Sequence, residues 1–246
     1  MAFQFFKNSS NPVLKDSILE NTSHLASLGA TMTTQGAVRS SLLGGLLLLA
    51  GAAIGWYYPS NLFLWPAAIA GLVLVLIASF KKEWSPIIVP IYAVVEGLFV
   101  GTISLLYASA FQGIIFHAVS LTLASFFLML FLYQSRIIRV TERFKSVIII
   151  ATASIFFMYL ISFVLSFFHI SVPMIHDTGI LGIGVSLFVV IIASLNLLLD
   201  FDFFEKGQDA GLPKYMEWFA AMGLLVTIVW LYLEMLRLLS KISSKD

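Results

Sequence analysis

Long apolar runs separated by short polar breaks organise this chain. Seven such runs are legible: Ser40–Tyr58, Leu62–Phe80, Ile87–Tyr107, Ile114–Tyr133, Val147–Phe168, Gly179–Leu199 and Tyr215–Leu239. Each is near the roughly 20 residues an α-helix needs to cross a hydrocarbon core of about 30 Å. None alternates with period two. Lipid tolerates only helices or closed barrels, because every backbone polar group must be satisfied internally. The pattern therefore predicts an all-α integral membrane protein, a bundle of seven transmembrane helices. Residues 1–38 read as a flexible cytoplasmic tail, 39–239 as the transmembrane domain and 240–246 as a carboxy-terminal tail.

Composition strengthens this. Of 246 residues, 60% are hydrophobic and 11% charged, against about 25% charged in soluble domains. A net charge of +1 offers no electrostatic footprint for nucleic acid. The absence of cysteine excludes disulfides, thiolate chemistry and Cys-ligated metal sites. The amino-terminal 35 residues lack the apolar core of a cleavable signal peptide, so the first run is expected to act as its own insertion signal.

Two longer polar connections stand out: Gln134–Ser146, which is basic, and Asp200–Lys214, which is acidic and bears glycine. With the amino terminus inside, the cytoplasmic segments collect Lys7, Lys15, Arg39, Lys81, Lys82, Arg136, Arg139, Arg143, Lys145, Lys206 and Lys214. The opposite loops hold none, as the positive-inside rule requires. Arg237, Lys241 and Lys245 are the exception. Either that tail breaks the pattern or the last run re-enters the membrane; its length and its Trp, Leu and Val favour a full span. Tyr57, Tyr58, Trp65, Trp84 and Trp218 lie near run ends, as an aromatic belt does.

Ionisable residues within the runs carry the functional signal, since each is costly in lipid and must face the bundle interior or water. Glu96 lies in Pro90-Ile-Tyr-Ala-Val-Val-Glu-Gly-Leu-Phe-Val-Gly with no basic residue within two turns. It must hold a proton or take a partner from another helix. It reads as a pathway residue, against a plain role as a protonated packing group. Gly97 with Gly101, and Gly51 with Gly55, are small-xxx-small pairs that allow helices to approach closely.

The sixth run ends in Leu195-Asn-Leu-Leu-Leu-Asp-Phe-Asp-Phe-Phe-Glu. Asn196 and Asp200 share a helix face, whereas Asp200 and Asp202 diverge by about 200°. An EF-hand loop started at Asp200 fails, since positions five, six and twelve are Phe204, Glu205 and Gly211. Asp202 and Glu205 read equally well as a solvated helix end. Glu217 begins the seventh run, at about the depth of Asp200 across the intervening turn. Glu234 and Arg237 are spaced to pair with each other. His24, His117, His169 and His176 lack paired-ligand spacing; His169, His176 and Asp177 give only a weak hint of a surface metal site. No nucleophile, phosphate-loop or dinucleotide motif is present, so no enzymatic activity is expected.

These residues resemble the Bax inhibitor superfamily, the transmembrane Bax inhibitor motif proteins. The resemblance rests on Glu96-Gly97, on Asp200 closing the sixth run, and on Leu231-Tyr-Leu-Glu with Leu236-Arg237. It is closest to a bacterial branch with Leu-Asn-Leu-x-Leu-Asp-Phe-Asp, Pro-Lys-Tyr-Met-Glu-Trp and Val-Trp-Leu-Tyr-Leu-Glu. It covers roughly Arg39 to Leu239. It implies a seventh helix enclosed by the others, in a bacterial inner membrane. It also implies a calcium leak gated by pH through two acids, one on the sixth helix and one on the seventh. Asp200 matches the first. Alignment on Leu-Tyr-Leu-acid puts the second at Glu234. Alignment on Arg237 puts Thr227 there, which breaks the pair or leaves Glu217 to replace it. Lys81 or Lys82 falls near a basic residue that closes the cytoplasmic side.

The resulting expectation is a pH-sensitive cation leak channel, with calcium the expected ion and no resident cofactor. Asp200 is the sensor and possible calcium ligand, Glu217 or Glu234 its partner, and Glu96 a pathway residue. Two close carboxylates cannot both ionise freely, and a divalent cation competes for the same oxygens. The rival reading is a non-conducting regulator that binds membrane proteases or other membrane proteins. A proton-coupled transporter is a second rival, for which no matching broken helices are visible.

Overall fold

A computed structural model describes residues 30–168 and 179–244. The described residues form seven long α-helices: α1 (Thr34–Tyr57), α2 (Trp65–Phe80), α3 (Ser85–Ala110), α4 (Ile114–Gln134), α5 (Glu142–Ser166), α6 (Ile180–Asp209) and α7 (Met216–Ser243). All seven are long and apolar enough to cross a membrane, and the protein is a multi-pass membrane protein. The amino-terminal tail upstream of residue 30, His24, His169, His176, Asp177 and Lys245 lie outside the described residues.

Local chemistry sets the ends. The Thr33 hydroxyl accepts from Gly36 N at 2.9 Å, so α1 starts at Thr34, six residues before the apolar run. Thr141 caps α5 in the same way, accepting from Phe144 N at 3.2 Å. Prolines open α2 and α3 at their first turns, where a missing N–H costs nothing. α6 outlasts its apolar run by ten residues, through Asp209. There Asp202 and Lys206 pair at 2.7 Å, one turn apart. Gly211, at φ +62°, supplies the left-handed turn that sends the chain into α7.

α7 is the centre. Two thirds of its apolar window is buried, against 17–50% for the other helices. It packs on α1, α3, α4 and α6, while α2 and α5 lie outside on α3 and α6. Leu197 and Leu198 of α6 meet Leu231 and Leu236 of α7 in a core sealed from solvent. Leu42, Leu46 and Leu49 of α1 and Phe127, Leu128 and Phe131 of α4 face outward, as a lipid-facing surface requires.

The glycine pairs work as the sequence suggests. A Cβ on Gly97 or Gly101 would run into the α1 backbone at Leu48 and Ala52, and one on Gly51 or Gly55 into the α3 backbone. Backbones this close exchange dispersion contacts that side chains would prevent. Thr102 adds a hydrogen bond across the contact, donating to the Gly55 carbonyl at 3.2 Å.

Candidate functional site

Asp200 sits on the face of α6 that meets α7. Its Oδ1 lies 3.3 Å from the point where a Cβ on Gly223 would stand, so the missing side chain makes room for the carboxylate. One turn further along α7, Thr227 donates to the Gly223 carbonyl at 3.1 Å. The Thr227 hydroxyl is a polar neighbour of Asp200, but its one proton goes to the Gly223 carbonyl. Asp200 Oδ2 is shut off from solvent and has no hydrogen-bond partner. Among described side chains only Ser85 Oγ shares that condition, and it carries no charge.

The structure does not bring Asp200 together with either glutamate. Thr227 stands opposite it, as the alignment on Arg237 suggests. Along α7, Glu217 is about 15 Å and Glu234 about 10 Å from Thr227. Each is committed elsewhere.

Glu217 anchors a strap. Its Oε1 accepts from both the backbone N and the hydroxyl of Thr33, each at 3.0 Å. Residues 30–34 run antiparallel to the turn between α6 and α7, with Thr31 bridged to Pro213. Met32 N donates to Leu212 O at 2.7 Å, and Lys214 N donates to Ala30 O at 3.1 Å. Thr34 N donates to the Gln208 side chain at 2.8 Å. Met32 is 1% exposed and packs over Gly207.

Glu234, 2% exposed, is saturated. Arg237 Nη1 donates to both its oxygens at 2.9 and 3.0 Å. Tyr159 of α5 reaches them at 3.0 and 3.1 Å, and Trp230 Nε1 donates at 3.3 Å. Arg237 also donates to the Tyr159 hydroxyl. The i,i+3 pair is thus formed and extended to a second helix. Lys241 is buried as well, donating to Gly182 O at 3.0 Å. Two of the three basic residues that depart from the one-sided charge pattern therefore have partners inside the fold.

Glu96 faces α2 rather than Asp200. Its Oε2 occupies the space over Gly71, where a Cβ would collide with it. It makes no hydrogen bond to a described residue. Tyr92, one turn earlier on α3, lines the same space over Gly71. Asn196 ties α6 to α5, donating to Thr152 Oγ1 and to Ile192 O, both at 2.8 Å. Asp202 pairs with Lys206, with only 13% of its own side chain exposed. Glu205 accepts from Tyr133 and pairs with Arg136. That bond and charge push the Arg136 pKa up. Lys82 lies over the Phe219 ring at 5.3 Å from its centroid, and Lys81 is exposed.

No group of three His, Asp or Glu side chains converges among the described residues. The Thr227 hydroxyl and the Gly223 carbonyl are hydrogen-bonded to each other along α7. Gly223 and Tyr159 escaped the sequence reading. Gly223 carries a usable signal, a glycine inside an apolar helix; Tyr159 carries none.

Residues 11–244 match the family model described as Bax inhibitor 1 like. No curated protein matches the chain significantly.

Proposed function

Because the chain belongs to the Bax inhibitor 1 like family, we propose that it is a pH-sensitive cation leak pathway with calcium as the permeant ion. Its membrane is a bacterial cytoplasmic membrane, with the amino terminus inside. The role is transport and not catalysis. One observation carries this reading: Asp200 Oδ2 is a carboxylate oxygen withdrawn from water at the central helix, with no donor to satisfy it.

An ionised oxygen in that state is expensive unless a proton or a cation meets it. The two alternatives exclude each other. When the carboxyl holds a proton it is neutral, needs no cation, and keeps α6 and α7 packed through the Thr227 hydroxyl. When the proton leaves, the anion draws a cation, and the Thr227 hydroxyl oxygen is of the type able to share it. Proton release and cation entry become one event. With Thr227 opposite, a single carboxylate titrates at this gate, so the response follows one proton and not a coupled pair.

Calcium flux through liposomes holding only the purified protein, measured over a pH series, tests the reading. The expected result is a leak that rises with pH in the wild type and loses its pH dependence in Asp200→Asn. A wild type that passes no cation at any pH overturns it, and the non-conducting regulator of membrane proteases becomes the better account.

A further inference from the structure

The connection between α4 and α5 is basic, ordered and underused. It joins the ends of two membrane-crossing helices, Gln134 and Glu142, so it lies at headgroup level whichever side it faces. It is held in one conformation. Arg136 takes a left-handed backbone at φ +55°, uncommon for a residue with a Cβ. Glu205 of α6 fixes it through the Arg136 ion pair and the Tyr133 hydroxyl. Ile138 and Val140 pack inward against the core.

That conformation leaves three cations without an acid. Arg139, Arg143 and Lys145 form no ion pair with a described residue. Of the nearby acids, Glu205 holds Arg136, and Glu142 approaches only Lys206, at 3.9 Å. Arg143 and Lys145 also lie in the first turns of α5, where the helix dipole disfavours positive charge. Neither helix energetics nor a protein partner offsets them. Beside them Ile137 is 65% exposed, an apolar side chain turned outward between Arg136 and Arg139.

We infer that the α4–α5 loop is a docking surface for anionic lipid headgroups, with Arg139, Arg143 and Lys145 each attracting headgroup phosphates and Ile137 entering the acyl boundary. Charge complementarity fixes the class of partner. Juxtamembrane cations attract anionic lipid additively, and an exposed aliphatic beside them suits a lipid better than a soluble anion. This site is separate from Asp200 and stands or falls without the leak.

The test is native mass spectrometry of the purified full-length protein in detergent, titrated with phosphatidylglycerol or with phosphatidylcholine. The wild type should retain phosphatidylglycerol preferentially. R139Q/R143Q/K145Q should lose that preference, by a factor of about 5 for each cation removed. Ser135→Ala, an uncharged change in the same loop, should keep it. Ile137→Ser should weaken retention of both lipids. If the triple variant does not purify as a folded protein, Arg139→Gln alone should show the single-cation loss. Equal retention of the two lipids by the wild type, or undiminished preference in the charge variants, overturns the proposal. So does displacement of phosphatidylglycerol by millimolar inorganic phosphate, which would assign the patch to soluble anions.

Discussion

Asp200 of α6 stands against Gly223 of α7, one turn before Thr227, whose hydroxyl donates to the Gly223 carbonyl. A hydroxyl can donate to a carboxylate or share a cation with it, but it cannot repel it. The gate proposed above is therefore a one-proton device. Asp200→Asn should flatten the pH dependence of calcium flux, and Asp200→Glu should shift it and keep it. The wild-type response should change by no more than about tenfold per pH unit, as a single titrating site allows. A wild-type pH profile in Asp200→Asn would remove Asp200 from the gate.

Thr227→Asp should place a second carboxylate beside Asp200. Two carboxylates in that space cannot both ionise freely, so protons leave in two separate steps. Opening should then move to higher pH, and the flux profile should show a second inflection. An unchanged profile would mean that the two positions do not communicate.

Glu217→Ala should loosen the strap without touching the gate. It removes the acceptor of the Thr33 N–H and hydroxyl, a loss of about 1 kcal/mol per hydrogen bond. Thermal unfolding in detergent should shift down by several degrees. Gly36→Ala should act the same way, because its Cβ would collide with the Glu217 carboxylate. The pH profile of flux should survive both. Loss of pH dependence in Glu217→Ala would return Glu217 to the sensor.

The Glu234 cluster is expected to be structural. Arg237→Gln leaves a 2% exposed carboxylate with only Tyr159 and Trp230, which should cost about 3 kcal/mol. Tyr159→Phe leaves Arg237 in place and should cost about 1 kcal/mol. Both should retain the pH response of the wild type in liposomes. Glu96→Gln, which keeps shape over Gly71, should fold and should change the rate of ion passage. An unaltered rate would confine Glu96 to packing.

Orientation is testable because the chain has no cysteine. A single cysteine at Arg139 should resist an impermeant thiol reagent applied from outside and react after the membrane is opened. Labelling from outside would invert the topology.

The number, order and approximate limits of the helices follow from sequence because hydropathy is local: about 20 apolar residues match the membrane wherever they occur. The glycine pairs of α1 and α3 were equally legible, since close approach is what their spacing serves. The partner of Asp200 was not. Helices bathed in lipid are apolar on every side, so α6 carries little amphipathic signal to say which face meets α7. Rotation and register of the two helices decide it, and these arise from packing across the bundle. The same holds for Glu217, whose role depends on a strap 184 residues away in sequence, and for Tyr159, an ordinary aromatic until α5 is placed beside Glu234. Sequence determined what each residue is able to do; tertiary packing decided which of them meet.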